Sequence, residues 1–336
     1  MNPSRVTIGR IARCALLVGC WLLPAWAAAQ GTPNATSSHR MTTLTRTPWG
    51  DPDLQGTWPG GNVFAVPFER PSELGTRTTL SHEEAAKRNA DVDAQLASPP
   101  LGNFWPELGH APALTSLIVE PENGRLPPMT EDGARRARDW RVKAADGYQP
   151  GLPAYLAAGP ADLRPFDRCI TRGVLGSAFP NQYGSGMQIH QAPGFVVIRY
   201  EMVHEARVIP LDGRPHASSV IQSYMGDSRG RWDGDSLVVE TTHFIGRTGS
   251  YGRNGDGNPT STALRLVERF RLRDANTLLY EVLVDDPQTW VRPWKVAFPL
   301  SRDESYVLYE YACHEGNYAL RYILSAARAA ERQAPK

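Results

Sequence analysis

The sequence predicts a mainly β protein, an antiparallel meander that closes into a barrel or a strongly curved sheet, with a Pro-rich wrap and a few helices. Three observations lead there. From Met187 onward, β-rich runs follow one another with turn residues between them. The 28 prolines and 30 glycines favour turns and irregular segments over a helical bundle. Third, Asp53-Leu54-Gln55-Gly56-Thr57-Trp58 reads as a short opening strand with Gly two positions before Trp.

Taken in chain order, residues 1–29 read as a secretory signal. Arg5, Arg10 and Arg13 make a positive region, Cys14 to Pro24 an apolar one, and Ala27-Ala28-Ala29 a small-residue cleavage site. The apolar stretch is shorter than the roughly 18–20 residues that span a bilayer, so no integral membrane segment is expected after cleavage. Leu17-Val18-Gly19-Cys20 also fits, loosely, a lipid-anchor signal at Cys20, although Trp21-Leu22-Leu23 continues the apolar run past it. Residues 30–48 are Ser/Thr-rich and aperiodic, a flexible leader. The first strand follows over 49–60. The expected location is periplasmic or secreted.

Segment 61–165 carries two helices. Ser81 and Glu84 form a capping box that opens the first, running to about Leu96. The second runs from Thr130 to about Ala145. Between them lie Pro106, Pro112, Pro121, Pro127 and Pro128, which lack the amide that a sheet interior needs, so this stretch is expected to wrap the outside of a sheet.

The β core is expected over 166–317, in runs 187–191, 194–202, 204–210, 229–233, 236–244, 264–273, 277–284, 290–298 and 306–312. Asp233-Gly234 and Asp274-Ala275-Asn276 mark hairpin turns. A helix over about 318–332 and a short tail end the chain.

Charge excludes one class of partner. Of 36 Lys and Arg, loss of the three signal arginines leaves 33 against 35 Asp and Glu, and a net −2 gives nucleic acid nothing to bind. Cys169 and Cys313 remain after the signal is removed, an even pair that an oxidising compartment favours joining, with two buried free thiols as the alternative. The eight histidines show no H-x-H or H-x-x-x-H pair, so no metal and no cofactor is expected.

Strand alternation then locates polar groups on core faces. Glu268 shares a face with Leu264, Leu266, Phe270 and Leu272. Arg292 falls between Trp290 and Trp294, and Glu310 and His314 share a face with Tyr306 and Leu308. His243 lies in line with Leu237 and Val239, and Arg199 and Glu201 with Phe195 and Val197. A charge on a core face must be paired, because isolated burial costs several kcal/mol. Two readings follow: structural pairs such as Glu268 with Arg292, or a polar-lined cavity for a small molecule. In the second, His243, Glu268, Glu310, His314, Tyr200 and His204 are the acid/base candidates. Arg292, Trp290, Trp294, Arg199 and Arg207 are the binding candidates.

The opening strand resembles that of lipocalin-like barrels, where the Gly permits a bend and the Trp plugs the floor. Over nearly all of the mature chain, the sequence resembles a large family of exported bacterial proteins. The likeness rests on Pro52–Trp58, Arg168-Cys169-Ile170-Thr171-Arg172-Gly173, Tyr200–Arg207, Ile209–Pro215, Gly226–Trp232 and Tyr309–Tyr318. It implies export and a Cys169–Cys313 bridge and brings no reaction with it. The function expected is the handling of a small organic molecule in a lipocalin-like barrel, as a cofactor-independent lyase, hydratase or isomerase acting by acid/base chemistry. A non-catalytic binding protein and a structural envelope protein are the alternatives. The oligomeric state stays open.

Overall fold

The computed structural model describes residues 44–97, 107–143, 158–249 and 257–333. The segment expected to be a signal, and most of the expected leader, lie outside them. Ten strands are arranged in two antiparallel sheets. The first takes β1 (Gly56–Trp58), β3 (Met187–Ala192), β4 (Phe195–Tyr200) and β5 (Ala206–Pro210) in that spatial order. The second runs β2 (Ile118–Glu120), β10 (Trp294–Ser301), β9 (Thr277–Asp285), β8 (Arg265–Asp274), β7 (Ser236–Thr242), β6 (Asp227–Asp233). Among the described residues neither order returns on itself, so the meander is split into two open sheets rather than closed in one barrel.

One apolar core joins the inner faces. Ile189, Val196, Ile198 and Ile209 come from the first sheet, and Val239, Leu266, Phe270, Val282 and Val296 from the second. Phe270, Tyr280 and Phe298 stand opposite one another on β8, β9 and β10, with ring centroids 5.0 and 5.3 Å apart. Alternation governs β8 throughout: Leu266, Glu268, Phe270 and Leu272 are buried.

The Pro-rich segment contributes an edge strand to the second sheet and places Val63, Val66, Leu117 and Ile118 in the core. Its β2 pairs with β10 on the side away from β9. Both sides of β10 are thus occupied. The segment 306–312 joins neither sheet and runs as irregular chain despite its alternation. The expected strand over 290–298 begins only at Trp294, since Pro293 supplies no amide for a ladder bond.

Helix α1 (His82–Ala97) carries both halves of its capping box: Glu84 N donates to Ser81 Oγ at 3.2 Å and Ser81 N to Glu84 Oε2 at 2.7 Å. Helix α2 (Glu131–Lys143) is capped by Thr130, whose Oγ1 accepts from Gly133 N at 2.9 Å. The short α3 (Gly173–Ala178) precedes β3, and α4 (Ala319–Gln333) ends the described chain. The β6–β7 turn is centred on Gly234 and Asp235, one residue later than read from sequence, since Asp233 still pairs with Ser236; Gly234 takes φ +60°. Cys169 and Cys313 are disulfide-bonded, tying the loop before α3 to the irregular segment after β10. Among the described residues, no helix is long and apolar enough to cross a membrane.

Candidate functional site

Of the charged groups predicted for core faces, Glu268 is buried as expected, and it meets Arg207 and, through Arg207, Tyr200 rather than the others of that set. Glu268 is fully buried on β8 and is joined not by Arg292 but by Arg207 of β5. Arg207 Nη2 donates to Glu268 Oε2 at 2.6 Å, to Ser228 Oγ and to Thr241 Oγ1; Nη1 donates to Glu268 Oε1 and Tyr200 Oη, each at 3.0 Å. Tyr280 Oη also donates to Glu268 Oε1. Burial opposes the Arg207 charge, but the Glu268 carboxylate outweighs it and raises the guanidinium above its ordinary value. Burial pushes the Tyr200 phenol up to about 12. All six side chains are buried. This cluster bolts the two sheets together; both terminal nitrogens of Arg207 are engaged in it, while its buried Nε has no hydrogen-bond partner.

The other predicted site residues do not converge on it. Arg292 is exposed in the bend before β10, and Glu310 and His314 are exposed in the irregular segment. Trp290 and Trp294 are buried in the core and packed edge to face, with ring centroids 6.1 Å apart. Arg199 faces away from the core, since the inward residues of β4 are Val196, Ile198 and Tyr200; a one-residue change of parity exchanges the faces. His204 is exposed and holds the Tyr311 carbonyl at 3.1 Å through Nδ1. His243 lies just past β7 with φ +61°, which takes it off the strand's face.

A second constellation was not legible from spacing. Tyr306 Oη lies 2.7 Å from Glu107 Oε2 and 2.6 Å from Glu201 Oε2. Glu107 precedes the wrap's return to the sheet, and its carboxylate also accepts from Gly184 N at 3.0 Å. Glu201 follows directly on β4; its Oε2 accepts from Gly186 N, and its own amide donates to the Gly186 carbonyl. Gly186 is required by space: a Cβ there would lie 2.7 Å from both Glu201 Oε2 and Tyr306 Cε1.

The geometry dictates a proton count. A phenol has one proton and donates one hydrogen bond, while two bare carboxylates are acceptors only. Both short contacts are satisfied when Glu201 carries a proton and donates to Tyr306 Oη, which in turn donates to Glu107. Burial raises the Glu201 carboxyl above its ordinary value, and neighbouring Glu107 adds to the rise against the opposing bond from Tyr306. The Tyr306 phenol is likewise raised, by burial and then by its bonds to the two carboxylates. The three side chains lie in line, with the Tyr306 hydroxyl between the two carboxyl groups.

Tyr306 and Glu107 face a cleft of about 320 Å³, lined also by Asn62, Ser301, Arg302 and Asp303. Glu201 stands behind them. Arg302 brings a positive charge, held 4.5 Å over the Trp58 ring and 3.2 Å from Glu304. Hydrogen bonds from Ser305 hold the Asp303 carboxyl below its ordinary value. The opening-strand tryptophan thus supports the cleft: fully buried, it donates Nε1–H to the Leu54 carbonyl and offers its face to Arg302. The volume suits a small organic molecule.

Comparison of the chain with protein-family models, with curated proteins and with solved structures finds no match. Function therefore rests on these residues alone.

Proposed function

We propose that the protein carries out acid/base chemistry on a small polar organic molecule in the cleft at Glu107, Tyr306 and Arg302. The observation that carries this reading is the Tyr306 hydroxyl within hydrogen-bond distance of two carboxylates at the wall of a cleft. Glu107, the acceptor end of a relay through Tyr306 to Glu201, takes a proton from the substrate. Tyr306 delivers one to the leaving or rearranging oxygen and is reprotonated by Glu201. The proton on Glu107 then returns through Tyr306 to Glu201, so the three groups end as they began. Arg302 stabilises negative charge that develops on the substrate. Elimination, hydration and isomerisation all fit this balance. The finer reading of the fold as lipocalin-like rests on Gly56 and the buried Trp58, and export rests on the N-terminal signal pattern and the Cys169–Cys313 bridge.

The test is a thermal-shift screen of the mature protein with hydroxy acids, phenols, terpenoids and sugars, followed by NMR of each hit for conversion. A bound ligand at 100 times its dissociation constant adds about 2.7 kcal/mol of stability. Tyr306→Phe is expected to retain binding and to lose turnover by about 10²–10⁴-fold, the scale of one general acid. Binding without conversion by the parent would establish the non-catalytic alternative. Ligands indifferent to both Glu107→Gln and Tyr306→Phe would remove the cleft from consideration.

A further inference from the structure

The β6–β7 edge brings together three ligating side chains that lie apart in sequence. His216 belongs to the loop between β5 and β6, Asp227 opens β6, and His243 follows β7. One ligand atom from each lies within 4.8 Å of the others, and all three residues are half-buried. The imidazoles meet edge to face with centroids 5.6 Å apart. His216 Nδ1 is 3.0 Å from Asp227 Oδ2.

Two features set this cluster apart from an ordinary surface ion pair. His243 Nδ1 is buried without a hydrogen-bond partner, a costly state for a polar atom in a half-buried place. The backbone of His243 also sits at φ +61°, outside the usual range for a residue with a Cβ. The surrounding contacts are those that orient ligands. Asp227 Oδ1 accepts from Arg229 Nη1 at 2.7 Å, while Oδ2 accepts from Ala217 N at 2.9 Å, so a lone pair remains. On the far side of His216, Nε2 faces Glu240 Oε1 at 3.6 Å, and Glu240 is itself held by Arg265 Nη2 at 2.6 Å. A carboxylate behind a ligating imidazole fixes its tautomer and raises its basicity.

We propose that His216, Asp227 and His243 bind a divalent first-row transition metal of the zinc class. The metal displaces the proton between His216 Nδ1 and Asp227 Oδ2 and takes His243 as its third ligand. In a tetrahedral site with bonds of about 2.0–2.2 Å, ligand atoms stand about 3.3–3.6 Å apart, so closure asks for side-chain movement of about an ångström. Two imidazoles favour zinc, cobalt, nickel or copper over calcium and magnesium, which take oxygen ligands. Three protein ligands leave a coordination position for water or a substrate oxygen. The site is separate from the Glu107–Tyr306–Glu201 relay and stands independently of it.

The test is titration of tag-free mature protein with Zn²⁺ and with Co²⁺. The expected result is one ion per chain, a visible Co²⁺ band of low-symmetry coordination, and ring ¹⁵N shifts confined to His216 and His243 when Zn²⁺ is added. His243→Asn is the first variant, because Asn tolerates positive φ better than most residues. It and His216→Gln are each expected to weaken binding by about 100-fold or more, while Asp227→Asn does so without losing the Ala217 contact. The ring shifts need no variant, so the proposal stays open to refutation if substitutions unfold the chain. Unshifted His216 and His243 rings at saturating Zn²⁺, or one-to-one binding that survives both histidine variants, would overturn it.

Discussion

Arg207→Met isolates the bolt between the sheets. Arg207 and Glu268 have side chains 3% and 0% exposed, and the guanidinium donates five hydrogen bonds, two of them to Glu268. Methionine fills much of the same volume and donates none. Glu268 would keep only its bond from Tyr280, at 3.0 Å. Removing one partner of a buried ion pair costs about 3–5 kcal/mol. For a chain of this size, about 2–4 °C per kcal/mol converts that to a fall in Tm of roughly 6–20 °C. The companion Arg207→Met/Glu268→Gln removes the stranded charge, retains an acceptor for Tyr280 and gives Tyr200 a donor, so it is expected to recover at least half of the loss. Urea unfolding of the parent, both single variants and the double variant completes the cycle. A loss below about 1 kcal/mol for Arg207→Met, or a double variant less stable than that single one, would refute the argument that the pair is held by mutual need.

Two further outcomes follow from the structure. Glu201 has a folded-state pKa raised above its unfolded value, so the folded protein holds its proton longer; that contribution is complete below the ordinary carboxylate range and is lost as pH rises through the folded value. Glu201→Gln, which keeps a donor for Tyr306, should therefore flatten the decline of Tm on the alkaline side of the ordinary carboxylate pKa, and differential scanning calorimetry at a series of pH values will show an unchanged slope if Glu201 is ionised throughout. The Cys169–Cys313 bridge closes a loop of 144 residues, for which chain entropy gives about 5 kcal/mol. Cys169→Ala/Cys313→Ala should unfold at correspondingly lower urea, and thiol titration of the unreduced, unfolded parent should find no reactive cysteine.

Local physics made much of the fold legible. Ser81 and Glu84 announced α1 because a capping box is a four-residue pattern with its own hydrogen bonds. The runs of β5, β7, β8 and β9 were readable from alternation, and with them the inward direction of Glu268. Cys169 and Cys313 were readable as a pair once Cys14 and Cys20 were assigned to an expected signal, and the two are joined in the structure. Local reading failed where alternation did not make a strand. The 306–312 run alternates as a strand should, but it pairs with neither sheet. Arg292 has the right parity beside two tryptophans, but Pro293 keeps it off the strand.

What the sequence by itself determined was the secondary-structure class, the helix starts, most strand faces and the demand that Glu268 find a cation. Which cation it found was decided by the tertiary structure. Alternation has a period of two along one strand and says nothing about which strand lies across the core; Arg207, 61 positions away, answers Glu268 because β5 packs opposite β8. The same limit hid both clusters of possible chemistry. Glu107, Glu201 and Tyr306 come from three unrelated segments, as do His216, Asp227 and His243. Each set exists only where the chain's ends, turns and sheet edges are brought within a few ångströms, a distance that no spacing in the sequence encodes.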